Sequence, residues 1–565
     1  MIKAPDTVQA VLASRIDRLV PVDKELLQTL AVLGREFSLS LVQCVTMRSS
    51  DDLEQMLTHL QLNEFINEQP AVGDIEYSFK HALTQEVAYN SLLGERRLAL
   101  HDRAARGIEE IYRDQPEDHY SDLAYHYLRG NDAAKAVHYA RLADEQALSR
   151  AAYPQAMTLI ETALKLVEKL PEASERCRVE LALRTIESTV AAVLHGHSSS
   201  QRERAIRRMC ELAENIGTAD EFLRALSTLS GLYFTQGESA RGLELATRCL
   251  TLAQASQNQG LLLDALSNAG ILAWSCGNLK EAASHFEDAL REVRRTSSGA
   301  SPQAQNGILY AGNLRGQIAL NLQHLGRVSN AAQVGAELLS SARKAGHLFT
   351  VGYALVIGGL LALEQRQADL ARTYSEEGIA VSEEHGFAEW LPWGRFIHGW
   401  ALSELGQTTE GLTEMEAGIV GFERLGGVPQ LQYLKALCAE CFGKLGRRAE
   451  ALRSLDYNLA HIEKTGERGD HAEILRLKGE VLAMCDQPHM AGAEACFREA
   501  LQVANAQEAK WRELRSALSL ARLLRNTNRR DEARTMLAET YNWFTEGFDL
   551  PDLMDAKALL DELGN

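Results

Sequence analysis

Small side chains recur along this sequence at two positions that keep a constant separation, and this pattern constrains the fold more than any other feature. Each member of the first series is followed twelve residues later by a member of the second, and the first series advances by 40, 49, 40, 40 and 40 residues. The axes of two antiparallel helices come within about 8–10 Å of each other at a close crossing, and large side chains at that point would push the axes further apart. The pattern therefore predicts a stack of helical hairpins. The pairs are Ser230 with Gly242, Gly270 with Ala282, Ala319 with Ala331, Gly359 with Ala371, Gly399 with Gly411, and Ala439 with Ala451.

The repeat resembles the tetratricopeptide repeat, whose small positions are also twelve residues apart, although the period of about 40 residues exceeds the usual ~34. Further copies are expected at Ala124 with Ala136, at Gly479 with Ala495, and at Ala533. A single hairpin cannot bury its own apolar faces, so stacking has to supply the core. We therefore expect a mainly α protein, an α-solenoid with a long concave surface that binds a peptide or a protein.

The first 118 residues follow a different pattern. Helical periodicity gives way to the alternating apolar residues Ile75, Tyr77 and Phe79 after a turn that contains Pro70 and Gly73. Alternation next to such a turn predicts a β-hairpin. Helices followed by one hairpin indicate a small winged-helix-like α/β domain. The expected division is 1–118 for this domain, 119–218 for irregular first repeats, 219–545 for the tetratricopeptide-like solenoid and 546–565 for a C-terminal capping helix.

Composition restricts the partners and the location. The chain carries 59 Lys and Arg against 77 Asp and Glu, a formal net charge of −18, and residues 1–120 carry 12 basic and 20 acidic residues. Nucleic acid is not an expected partner, because neutralising phosphates requires a basic surface. The longest apolar run, 351–363, is too short to span a bilayer, and the amino terminus has no apolar signal core. Nine cysteines without a disulfide-like spacing favour the cytoplasm.

Motifs for catalysis or metal binding are absent from the sequence, including the phosphate loop GxxxxGK, GxGxxG, HExxH and GxSxG. Cys438 and Cys441 lie one helical turn apart, and His195 and His197 flank a glycine. A zinc site needs further ligands at matching spacing. We interpret the cysteines as small core residues and the histidines as part of a solvated loop, and we predict no catalytic residue, metal or cofactor in this chain.

One aromatic cluster is a candidate partner-binding surface. The segment EWLPWGRFIHGW (389–400) places three aromatic side chains on one helical face, beside an arginine, and tryptophan and arginine are frequent binding anchors. The alternative is that the aromatic residues form the core between repeats. The candidates are Trp390, Trp393, Arg395, Phe396 and Trp400.

Three stretches resemble the carboxy-terminal half of a family of large bacterial signalling proteins: PDTVQAVLASRIDRL (5–19), YSFKHALTQEVAYNSLLGERRLALH (77–101) and YNWFTEGFDLPDLMDAKALLDEL (541–563). That family joins a class III adenylate/guanylate cyclase domain to a STAND-type AAA+ ATPase and then to tetratricopeptide repeats. The resemblance implies that residues 1–118 end the ATPase module. It also implies that the cyclase and phosphate-loop modules lie upstream or in a separate chain, so ATP or ADP would bind only to a joined ATPase domain.

The resemblance implies a non-catalytic regulatory arm, which binds a protein or ligand through its solenoid and relays this to a nucleotide-switch domain. The other interpretation is a free-standing tetratricopeptide scaffold that bridges proteins. The sequence leaves open whether the chain is a fragment, a split gene product or a complete protein, and whether it forms a homo-oligomer.

His81 has a role in the same resemblance. In STAND ATPases a histidine just after the hairpin contacts the phosphates of the bound nucleotide, and the segment 79–83, FKHAL, is similar, with Ala82 replacing the acidic residue common at that point. The resemblance implies a nucleotide-sensing role for His81 with Lys80 beside it, which requires an upstream ATPase. The alternative is that His81 caps the following helix and packs on the hairpin.

Overall fold

The computed structural model describes residues 6–69, 74–149, 153–170, 172–256, 258–296, 304–426, 430–485 and 489–564. The chain divides into two compact units, Met1–Val190 and Ala191–Asn565, and the boundary falls inside the segment predicted to hold irregular repeats. The fold is mainly α, with tetratricopeptide-like helical hairpins after a small part that contains strands. Within the described residues, none of the helices has the length and apolar character needed to cross a membrane.

The first unit begins with helices and three short strands and continues in helices. Its elements are α1 (Asp6–Asp17), α2 (Pro21–Leu33), β1 (Glu36–Ser38), α3 (Leu39–Thr46), α4 (Ser50–Leu62), β2 (Ile66–Gln69), β3 (Glu76–Phe79), α5 (Ala82–Asn90), α6 (Gly94–Ile111), a 3₁₀ turn (Pro116–His119), α7 (Tyr120–Tyr127), α8 (Ala133–Ser149), α9 (Tyr153–Val167) and the greater part of α10 (Ala173–His195), whose last residues belong to the second unit.

The three strands form one antiparallel sheet in the order β1-β3-β2. The predicted hairpin is present, because Ile66 of β2 pairs with Phe79 of β3, while residues 70–73 of its turn lie outside the described residues. The sequence did not reveal β1, which has only three residues and gains its place by pairing with β3. Its Phe37 is buried and meets Phe79 edge-on, with ring centroids 5.9 Å apart. The sheet therefore contributes aromatic side chains to the core of this unit.

Two histidines face each other in the interior of the first unit. His101 on α6 and His126 on α7 are both buried, and their Nδ1 atoms are 3.0 Å apart, while the hydroxyl of Tyr89 lies 3.0 Å from His101 Nε2. Burial, the neighbouring His126 and nearby arginines lower the pKa of His101 to about 3. Burial and Arg129 lower the pKa of His126 to about 4. Both imidazoles are therefore neutral in the folded protein at ordinary pH.

The histidine pair predicts that acid destabilises the first unit. An unfolded histidine takes up a proton near pH 6.5, whereas the folded pair does so only near pH 3–4. The unfolded state therefore binds more protons across this window, so stability falls as the pH falls, by at most about 2.7 kcal/mol per pH unit for two groups. Urea unfolding of the first unit between pH 7 and pH 5 measures the slope. The variant His101→Phe with His126→Leu should flatten it, and an unchanged slope would contradict this origin.

The second unit is a stack of antiparallel helices. They are α11 (Ser200–Ile216), α12 (Ala219–Thr235), α13 (Ser239–Ala255), α14 (Gln259–Ser275), α15 (Leu279–Thr296), α16 (Ala304–His324), α17 (Val328–Ala345), α18 (Leu348–Glu364), α19 (Ala368–His385), α20 (Trp390–Glu404), α21 (Thr408–Arg424), α22 (Leu431–Lys444), α23 (Arg448–Thr465), α24 (His471–Ala483), α25 (Met490–Ala506), α26 (Lys510–Asn526), α27 (Arg530–Tyr541) and α28 (Pro551–Gly564).

The two small-residue series lie at the helix crossings, as the spacing predicts. Helices α20 and α21 approach closely, since a Cβ added to Gly399 would lie 2.4 Å from the Gly411 carbonyl oxygen. In the α12–α13 hairpin, Ser230 Oγ donates to the Gly242 carbonyl at 3.4 Å. The alanine members are fully buried: Ala282, Ala319, Ala331, Ala371, Ala439 and Ala451, together with Ala124 and Ala136 in the first unit.

One predicted repeat position is wrong. Ala495 is exposed, because the buried small residue of α25 is Ala493, and Gly479 packs instead against the ring of Phe497, to which an added Cβ would come within 2.5 Å. The repeat at Ala533 is present, since Ala533 is fully buried on α27.

Within the second unit, the stack turns back so that early and late helices touch. The amide of Gly469 donates to the Ser275 carbonyl at 2.8 Å, although the two residues lie in different repeats. Further along, the Ser329 amide donates to Glu546 Oε1 at 3.1 Å, and α16 contacts α26. Helix α26 and the residues that precede α24 and α28 therefore contact the early repeats.

Candidate ligand-binding site in the repeat unit

The aromatic cluster predicted as a partner-binding patch lies in the core of the second unit. Its four aromatic members are at most 8% exposed, and Trp393 meets Phe422 with ring centroids 4.9 Å apart. Arg395 is the member that reaches the surface, 3.6 Å from Glu383. Packing between repeats, and not a surface patch, therefore accounts for Trp390, Trp393, Phe396 and Trp400.

The paired cysteines on α22 are packed. Cys441 Sγ lies 3.3 Å from Ser403 Oγ and 3.8 Å from Met415 Sδ, and Cys438 is also buried. Burial raises the pKa of both thiols, which disfavours the thiolate that a metal requires. Their surroundings are those of small core residues.

The segment after α10 is less open than a solvated loop. His197 Nδ1 lies 2.7 Å from Glu389 Oε2, and Ser198 and Ser199 are buried. His195 ends α10 and is exposed. The prediction of a solvated loop is therefore wrong for residues 197–199, because the segment packs against helices far along the chain.

Lys80 and His81 lie at the joint between β3 and α5. The carbonyl of His81 accepts from the Thr84 amide at 3.0 Å, but its side chain makes no capping hydrogen bond and is exposed. Lys80 Nζ lies 2.8 Å from Glu64 Oε1. His81 therefore occupies the helix-start position that the alternative gives it, but its imidazole makes no capping bond and is exposed, so the ring is accessible to a ligand.

A buried charge cluster joins helices of the second unit that are far apart in sequence. Arg512 on α26 is fully buried, and its Nη1 lies 2.8 Å from Glu364 Oε2 on α18. Its Nη2 donates to Glu364 Oε1 at 2.8 Å and to Asp470 Oδ1 at 2.8 Å. Glu473 on α24 lies 3.7 Å from Nη1. This cation therefore holds three carboxylates, and it pins α26 to α18 and α24.

Two more arginines complete the charge cluster. Arg476 Nη2 lies 2.7 Å and Arg515 Nη1 lies 2.8 Å from Glu473 Oε1. Burial opposes ionisation of Glu473, but the arginines outweigh it and hold the pKa of that carboxyl far below its usual range. The hydroxyl of Tyr433 donates to Glu364 Oε1 at 2.6 Å. The arginines likewise hold the pKa of Glu364 below its usual range despite burial, so Glu364 and Glu473 stay ionised.

Three members of this region have the spacing of metal ligands. One ligand atom from each of His324, Glu364 and Asp470 lies within 4.8 Å of the others. Arg512 Nη2 lies 3.4 Å from His324 Nε2 and 2.8 Å from an oxygen of each carboxylate. The three groups therefore surround a guanidinium cation, which already supplies the positive charge that a metal would bring.

Early and late repeats of the second unit line a cavity of about 300 Å³. Helices α15 and α16 supply one wall with Phe286, Leu290, Ile318 and Leu322, and Trp543, which follows α27, supplies part of the other. Ligand pockets combine a mostly apolar lining with a few polar groups, and this cavity also has Asn321 and several charged side chains on its lining. It is the candidate ligand site of this unit.

Sequence reasoning missed the residues that matter most at this site. Asn321 and Trp543 line the cavity but follow no repeat spacing, and Arg512 in the charge cluster pairs with Glu364, 148 residues away. One signal was present, because Trp543 belongs to the closing stretch YNWFTEGF (541–548) that carried the resemblance. The other was a charged residue, Glu364, at the end of an apolar helix.

Comparisons with known proteins give relatives at low identity. No family model matches the chain. An uncharacterized protein of Rhizobium meliloti strain 1021 is 20% identical over 510 residues, which cover 89% of this chain and 48% of that protein. The chain therefore spans about half the length of the curated relative that it matches.

Solved structures of repeat proteins are also similar. A Rap protein complexed with competence and sporulation factor is 12% identical, covers 69% of this chain and 99% of its own, and has a TM-score of 0.47. A STAND protein with a tetratricopeptide repeat sensor from Pyrococcus horikoshii is 13% identical, with 99% and 68% covered and a TM-score of 0.34. The apo quorum sensor NprR from B. thuringiensis is 13% identical, with 66% and 99% covered and a TM-score of 0.40. None of these similarities assigns an activity to this chain.

Proposed function

We propose that the chain is a non-catalytic sensor arm of a cytoplasmic STAND-type signalling protein. In this proposal the repeat unit binds a peptide, protein or small ligand, and the first unit relays binding to a nucleotide-switch domain. The observation that supports this proposal is that repeats distant in sequence line a common cavity and share a buried charge cluster. A ligand that touches both walls binds the closed arrangement better than an open one, and such differential affinity is what shifts an equilibrium.

The first unit supports the relay part of the proposal. The order α2-β1-α3-α4-β2-β3, with one three-stranded antiparallel sheet, is the order of a winged helix. Residues 1–120 carry 12 basic against 20 acidic side chains, which suits packing against protein better than binding to DNA. The exposed His81 lies directly after the hairpin, where the resemblance to STAND ATPases implies a contact with nucleotide phosphates.

Nucleotide retention tests the proposed relay. The chain would be joined to the phosphate-loop ATPase module that the resemblance implies on its amino-terminal side, and ADP dissociation would be followed after dilution. We expect His81→Ala to speed ADP release about tenfold, the effect of losing one hydrogen bond to a charged group. His138→Ala, which removes another exposed histidine of the same unit, is the control and should leave release unchanged. Equal release rates for wild type and His81→Ala would refute the sensing role.

A further inference from the structure

We propose that the cavity between the early and late repeats binds a small carboxylic acid with an apolar body and an amide N–H. An N-acyl amino acid and the last residues of an apolar peptide share this chemistry. The proposal rests on three features of the lining: its apolar walls, and, among the residues that the structure describes, one buried hydrogen-bond acceptor without a partner and one cation without a counter-ion.

The walls select an apolar body. Phe286, Leu290, Ile318 and Leu322 lie on two adjacent helices, and the indole of Trp543 closes the space from the other side. Transferring apolar surface from water into such a cavity is favourable in proportion to the area buried. A ligand without an apolar part would gain nothing from these walls.

Asn321 selects the hydrogen-bond donor. Its side chain is 2% exposed and lines the cavity, and its Nδ2 donates to the Leu279 carbonyl at 3.4 Å. This bond leaves Oδ1 as the acceptor, and within the described part of the chain Oδ1 is buried without a hydrogen-bond partner. Leaving a buried acceptor unpaired is unfavourable, because the desolvation of that group is not compensated. An amide N–H from a ligand would satisfy it, whereas a plain fatty acid would not.

The charges on the lining select a single carboxylate. Lys280 Nζ is 2.7 Å from Glu508 Oε1, and Lys510 Nζ is 2.6 Å from Glu513 Oε2, so both lysines are already paired. Arg327 lies in the turn between α16 and α17, and its exposed side chain lines the cavity. It is therefore the cation of the lining that remains to bind a ligand.

The remaining acidic residue of the lining is Glu287 on α15, which disfavours a second negative charge on the ligand. The lining therefore accommodates one carboxylate, beside Arg327.

This inference rests on the proposed sensor function, because it names the class of ligand that the repeat unit would sense. The walls come from residues 280–327 and 508–543, so an occupant bridges early and late repeats. Binding is measured on the chain alone, so a failure of the nucleotide relay would not remove it, and a failure of binding would leave the relay to be tested by nucleotide retention.

Tryptophan fluorescence gives a direct readout, because Trp543 is 45% exposed while the other five tryptophans are buried. N-octanoyl-leucine and N-acetyl-phenylalanyl-leucine would be titrated into the full chain with acrylamide present as a quencher. We expect at least one of them to saturate and to protect the exposed indole. Tighter binding by the first probe would indicate an acyl amino acid, and tighter binding by the second would indicate a peptide end.

Variants assign the contacts. Arg327→Gln should weaken the binding of both probes about tenfold. Replacing the carboxylate of a probe by a C-terminal amide should lower its affinity for the wild type about tenfold, but should not lower its affinity for Arg327→Gln any further. Asn321→Leu should weaken binding by a similar factor without lowering the melting temperature. Arg453→Gln removes an exposed cation on α23, outside the cavity, and should bind like wild type. Absence of saturable binding up to about 1 mM, a weak affinity for any specific site, would overturn the proposal. Equal binding by Arg327→Gln and wild type would do the same.

Discussion

Replacing Arg512 by leucine is expected to destabilise the repeat unit by about 3–5 kcal/mol, the cost of breaking a buried ion pair by removing one partner. The substitution leaves Glu364, Asp470 and Glu473 buried without the cation that they share. It also releases the contact that joins α26 to α18. Urea unfolding followed by circular dichroism at neutral pH measures the change in the transition of this unit.

Two further variants separate charge from packing. Arg498→Leu removes a partly exposed arginine that pairs with Glu494 and Glu532, and such pairs contribute about 0.2–1 kcal/mol. Combining Arg512→Leu with Glu364→Gln should recover part of the loss, because one uncompensated charge disappears. If Arg512→Leu unfolds at the wild-type urea concentration, the buried charge cluster does not hold the repeats together.

Adding one methyl group at the crossing of α20 and α21 should lower the free energy of unfolding by nearly as much. In Gly399→Ala the new Cβ would lie 2.4 Å from the Gly411 carbonyl oxygen and 2.7 Å from the Met415 amide nitrogen. Both obstacles are backbone atoms, so α20 and α21 must move apart. We expect a loss of about 3 kcal/mol, the upper end for overpacking, measured by urea unfolding.

Gly378→Ala is the matched control for this crossing. Gly378 is also buried within a helix, α19, but its added Cβ would meet only Leu355 Cβ, at 3.7 Å, an ordinary contact. Alanine is favoured over glycine in a helix interior by about 0.5–1 kcal/mol, so this variant should be slightly stabilised. If Gly399→Ala and Gly378→Ala changed the free energy of unfolding in the same direction, helix packing would not require the small-residue series.

Local spacing explains how much of this fold the sequence predicts. Gly399 and Gly411 belong to one hairpin and are only twelve residues apart in sequence. Their pairing can therefore be predicted from a single short stretch of chain. The hairpin of β2 and β3 is visible for the same reason, since its strands are adjacent in sequence. Strand β1 was missed because three residues carry too short an alternation to recognise.

Contacts between helices of distant repeats cannot be predicted from local spacing. Arg512 meets Glu364 over a separation of 148 residues, and no periodic pattern links the two positions. Trp393 and Trp400 illustrate the opposite difficulty: their helical spacing fits a binding face and a core face equally well, and only the neighbouring helices decide between them. The exposure of a side chain depends on the packing of the whole molecule. The sequence therefore leaves open whether the His81 side chain is packed or accessible, and the structure shows that it is exposed.

The dissociation rate of ADP from the phosphate-loop ATPase module, measured with and without this chain attached, tests the sensor account most directly. If the chain is a regulatory arm, ADP leaves the joined protein more slowly than the isolated module, and an occupant of the repeat unit changes that rate. If the rates of the joined and isolated module are the same, with and without an occupant, the chain does not control the nucleotide switch and the proposed function is wrong.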